Sequence, residues 1–135
     1  MFLTYLKDEN KERFLEICVH AALSNGVFDK DEKEALFVYC REMNVDVHVP
    51  ETKESFETLM STLSETATQV EKNIIVLETL ALVKSDGVYD DKEQAFMSQL
   101  VNGLNIKETT LSKFVSLLDK YIEIGKELYS AMFEG

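Results

Sequence analysis

Ser24-Asn25-Gly26-Val27-Phe28-Asp29-Lys30-Asp31-Glu32 returns 61 positions later as Ser85-Asp86-Gly87-Val88-Tyr89-Asp90-Asp91-Lys92-Glu93, with five of nine residues identical. Asn25 against Asp86 and Phe28 against Tyr89 are conservative exchanges. The same register sets Met43-Asn44-Val45 against Leu104-Asn105-Ile106. Self-similarity at one fixed offset marks an internal duplication of a short structural unit.

Each copy reads as helix, tight turn, helix. Phe14, Ile17, Cys18 and Ala21 fall at helical spacing before the first turn, and Leu36, Tyr39, Cys40 and Met43 follow it. In the second copy Ile74, Leu77 and Ala81 precede the turn and Phe96, Leu100 and Leu104 follow. The additional Ile75, Val76, Leu80, Leu82 and Val83 make the first helix of this copy apolar nearly all round, so it is expected at the centre of the domain. Gly26 and Gly87 can take the left-handed conformation that ends a helix. Three residues later Asp29 and Asp90 are placed to cap the next helix, and Glu32 and Glu93 complete a capping box.

Working outward, Asn44 to Thr52 reads as a loop or short extended connection broken by Pro50. Phe56, Leu59, Met60 and Leu63 mark a further amphipathic helix, closed by the Ser/Thr-rich stretch Ser64 to Thr68. Thr68 and Glu71 are placed to form the next capping box. From Leu111 to Met132 apolar residues recur at helical spacing, which predicts one long final helix over about residues 108–133, bracing the bundle. Gly125 inside it costs about 1 kcal/mol relative to Ala, which is accounted for either by close approach of a neighbouring helix or by a neutral substitution.

Five Gly and one Pro in 135 residues suit helices. An apolar fraction of 45% supports one core and little more. The expected fold is therefore all-α: a compact bundle of about six to seven helices in a single domain over residues 1–135, with repeat copies at about 10–45 and 70–106. Twenty-five acidic residues against fourteen basic ones give a net charge of -11, which opposes nucleic-acid phosphates and anionic lipid and favours cationic partners. Cys18 and Cys40 sit singly among apolar residues, which points to packing and a reducing, cytoplasmic setting. The longest apolar region, Ile74 to Val83, is about half of the roughly 20 residues that span a bilayer. No membrane insertion and no export signal are expected.

The doubled string Ser-Asn/Asp-Gly, two apolar positions, Asp, two variable positions and Glu, set between amphipathic helices, resembles the tellurite-resistance TerB-like family over roughly Phe14 to Leu118. The resemblance implies an all-α fold in which the two turns lie near one another and their acidic residues share one face. It also implies links to metal-ion binding, chemical stress and membrane-associated protein partners. Carried over by position, the candidate ligands of a divalent cation, calcium or magnesium, are Asn25, Asp29 and Glu32 in the first copy and Asp86, Asp90 and Glu93 in the second. Two departures weaken such a site: Asn25 stands where the family usually has Asp, and Lys84 adds a cation beside the second turn.

An EF-hand is excluded. Gly26 to Glu32 and Gly87 to Glu93 match the second half of its loop, but the ligand positions one and three would be Ala21 and Leu23, or Leu82 and Lys84. Helix capping explains the six turn residues as well as a cation does. His20 lies among apolar neighbours and His48 in a connection, neither with a nucleophile nearby in sequence, so no catalytic residue is assigned. Tyr121, Tyr129, Phe133, Phe2 and Tyr5 are read first as core residues and second as a docking or homodimer surface. The function expected is a non-enzymatic acidic interaction module in a stress response, binding a basic protein surface or a divalent cation. The alternatives are a metal-dependent enzyme-like domain and an acidic nucleic-acid mimic.

Overall fold

A computed structural model describes residues 1–24, 26, 28–85 and 88–134. After a single 3-10 turn at Leu3–Tyr5 come α1 (Asp8–Leu23), α2 (Lys30–Glu42), α3 (Phe56–Thr66), α4 (Gln69–Val83), α5 (Asp91–Gly103) and α6 (Glu108–Met132). Among the described residues there is no strand.

The repeat governs the architecture. Shifted by the repeat offset, α2 maps residue for residue onto α5, and α1 maps onto α4. The two copies pack through these counterparts, α1 against α4, while α4 also touches α5, α6 and the 3-10 turn. As its composition requires, α4 is central: Ile75, Val76 and Leu80 have no exposed surface. A single buried cluster draws on all six helices, with Phe14, Ile17, Leu36, Leu63, Leu100 and Leu111 among its members.

The helix boundaries follow local chemistry. Thr68 caps α4, and Glu71 completes its box. Gly26 has φ 89° in the turn after α1, the left-handed region that glycine adopts without strain; Gly87 lies outside the described residues. The paired Asn44 and Asn105 carry a signal of their own. Both are left-handed, with φ 59° and 58°. Val45 N–H donates to the Cys40 carbonyl at 3.0 Å and Ile106 N–H to that of Val101 at 2.8 Å. Each copy thus closes its second helix with the same Schellman motif, in which Asn serves as the left-handed residue.

α6 braces α4 and α5 as expected, but only as far as Ile122: Phe114, Val115 and Ile122 pack against the core beside Leu111 and Leu118. Only Leu111 and Leu118 are buried along its length, and Tyr121, Ile124, Leu128, Tyr129 and Met132 are exposed. The reason is length: 25 residues span about 37 Å at 1.5 Å per residue, whereas α4 and α5 have 15 and 13 residues. The last turns therefore run past the body of the bundle. Tyr121, Tyr129 and Phe133 are not core residues, nor are Phe2 and Tyr5. Gly125 accommodates no neighbouring helix, since a Cβ there would meet nothing within 4 Å. No described helix is long and apolar enough to cross a membrane.

Candidate functional site: the acidic corner

The turn carboxylates are held by the helices they start. Asp29 Oδ1 accepts the Glu32 N–H at 2.8 Å, and the Asp29 N–H donates to Glu32 Oε1 at 3.2 Å. The second copy repeats this geometry: Asp90 Oδ1 accepts the Glu93 N–H at 2.8 Å, and the Asp90 N–H donates to Glu93 Oε1 at 3.1 Å. One oxygen of each side chain is thereby engaged with backbone at a helix N-terminus, where the dipole also favours it. Asn25 and Asp86, the other two candidate residues, lie outside the described residues.

The second box acts on the first. Burial raises the Glu32 carboxyl above its ordinary value and the Asp29 amide opposes this, while the charges of Asp29 and Glu93 raise it further. Tyr89 is raised by burial and then by Glu93 and Glu108. Negative charge from α2, α5 and the start of α6 thus converges on one region. Lys84 offsets part of it: its ammonium sits 4.8 Å from the Tyr89 ring centroid and 2.9 Å from Asp119 on α6.

Among the described residues no three His, Cys, Asp or Glu side chains form a group that could hold a metal ion. Each of the four described candidates gives one carboxylate oxygen to capping.

Other polar groups were not legible as a unit in the sequence. Glu78, in the apolar α4, is 1% exposed. It accepts the Phe2 N–H at 3.0 Å and pairs with the Met1 ammonium at 3.0 Å. It lines a cleft of about 650 Å³ with Tyr39, Glu42, Lys84 and Tyr121. Glu71 accepts the Lys7 N–H at 2.9 Å and the Asn10 amide at 3.2 Å. The signal for both was an acid within an otherwise buried helix, but their partners lie too far along the chain to be read from spacing. Elsewhere, His48 pairs with Glu12 at 2.9 Å. On the same helix as Glu12, Glu16 is 8% exposed with one carboxylate oxygen lacking a hydrogen-bond partner. Cys18 and Cys40 are buried free thiols, as core positions predict.

The all-helical fold has a counterpart among solved structures. The chain superposes on a tellurite resistance protein from Nostoc punctiforme with a TM-score of 0.75, covering 95% of this chain and 82% of that one at 17% identity. The fold is TerB-like. No protein-family model matches the sequence, and no curated protein is significantly similar to it.

Proposed function

We propose that this TerB-like chain is a non-enzymatic binding module whose acidic corner engages a basic protein surface. The observation that supports this reading is that both cap residues, Asp29 and Asp90, are exposed, at helix starts close enough for the charge of the buried Glu93 to act on Glu32. The acidic side chains that start α2 and α5 therefore lie within electrostatic reach of one another. Asp31 and Asp91, in the first turns of α2 and α5, are exposed beside them. A net charge of -11 adds long-range attraction for a cationic partner. The chemistry needed is charge complementarity at a rigid surface, and no covalent step is involved.

The test is a residue-resolved NMR titration of the full chain with a lysine-rich peptide and, separately, with calcium and magnesium. Asn is as good a cap as Asp, so Asp29→Asn with Asp90→Asn removes charge while keeping both helix starts. Saturable peptide shifts centred on both boxes in the wild type, weakened in the double variant, support the proposal. Shifts spread evenly over the surface that follow ionic strength alone count against it. Saturable shifts with a divalent cation but not with the peptide would replace the protein surface by a hydrated cation.

A further inference from the structure

We propose that the chain forms a two-fold antiparallel dimer through the outward face of the second half of α6. Phe114, Leu117, Tyr121, Ile124, Leu128 and Ala131 recur at alternating intervals of three and four residues, which is the a/d seam of a coiled coil. This seam is distinct from the stripe that meets the body of the bundle, where Leu111 and Leu118 are buried. From Leu117 onward the seam is open: Leu117 is 48% exposed, Tyr121 61%, Ile124 54% and Leu128 64%.

The charges beside the seam select a second copy as the occupant. Lys113, Lys120 and Glu127 follow one another every seventh residue along the solvent-side flank of α6, all exposed. The ion pairs that lysines make among the described residues are those of Lys7, Lys11, Lys30 and Lys84, so this flank is not paired within its own chain. In a parallel pairing Lys120 would face Gly125 of the partner subunit and gain nothing. An antiparallel pairing with its axis crossing α6 near Ile122 brings Lys120 to Glu127 of the partner subunit. The two-fold repeats the pair.

The same register layers Tyr121 on Ile124 of the partner subunit and Leu117 on Leu128 of the partner subunit. It delivers that Leu128 beside an apolar cleft of about 290 Å³ lined by Met1, Phe2, Leu77 and Phe114. Gly125 then falls where the partner's body comes closest, and its lack of a side chain leaves the space that its own chain does not use.

The test is sedimentation of the full chain at about 0.15 M salt, where the Debye length of about 8 Å screens net repulsion but not contact pairs. The wild type is expected at twice the 15.4 kDa chain mass. Lys120→Glu or Glu127→Lys alone should raise the dimer dissociation constant about tenfold or more, and the double exchange should restore it. All these positions are exposed, so unchanged helical circular dichroism checks folding. A monomer at every concentration, or a dimer indifferent to the single exchanges, overturns the proposal; so does a failure of the double exchange to rescue.

Discussion

The Asn10 side-chain amide donates to the Glu71 carboxylate at 3.2 Å, and the two residues are each other's counterparts in the repeat. Equivalent positions of two copies can touch only where the copies meet face to face. There the duplication has diverged usefully: one copy supplies a donor and the other a carboxylate that also caps α4.

This arrangement makes Glu71 an acid-sensitive point. Burial raises its carboxyl, but the backbone amides of Lys7 and Thr68, the Asn10 amide and the Lys7 charge outweigh it and hold the pKa at about 2, against an ordinary 4.5. A depressed folded-state pKa contributes stability above the unfolded value, lost as pH falls through the folded one. Unfolding by urea should show roughly 3 kcal/mol of stability at neutral pH disappearing between about pH 5 and 2. Glu71→Gln should remove most of that dependence, and an unchanged acid limb in the variant would refute the assignment.

The caps predict a second result. Asp29→Ala and Asp90→Ala should each cost about 1 kcal/mol, and the corresponding Asn variants much less. Urea midpoints of the four variants check this, and equal losses for Ala and Asn would show that charge rather than capping sets the cost.

The left-handed asparagines give a third. Asn44→Gly and Asn105→Gly should be close to neutral, whereas Ala at either site should destabilise by about 1 kcal/mol, because a Cβ in this region is strained and Ala lacks the local hydrogen bonding of Asn. Thermal unfolding compares the pairs directly.

Cys18 should be inert in the folded protein. Its thiol is fully buried, and burial first, then the Glu78 and Cys40 charges, push its pKa well above the ordinary value. Disulfide-exchange reagents should label it only after denaturant is added; rapid labelling of the native chain would contradict the packing.

His48 should titrate above its ordinary 6.5, chiefly through its hydrogen bond to Glu12 and then that to the Asp46 carbonyl. A raised folded-state value adds stability below the unfolded pKa that is lost as pH rises through the folded one. Glu12→Gln should lower the midpoint followed by imidazole NMR, and an unmoved midpoint would mean that the pair does not form in solution.

The sequence by itself determined an all-α bundle of about six to seven helices, the capping boxes that start three of them, and the duplication. These are local matters, since a capping box joins residues three apart and an apolar stripe repeats every turn. It also named the acidic turn residues. It could not show that Glu71 and Glu78 find backbone partners at the opposite end of the chain, or that the charge of Glu93 acts on Glu32, because these pairings exist only once α1 lies on α4. Nor could periodicity tell which stripe of α6 is covered. That helix is apolar on two adjacent faces, and only the length of the bundle beneath it decided that one is core and the other is left open.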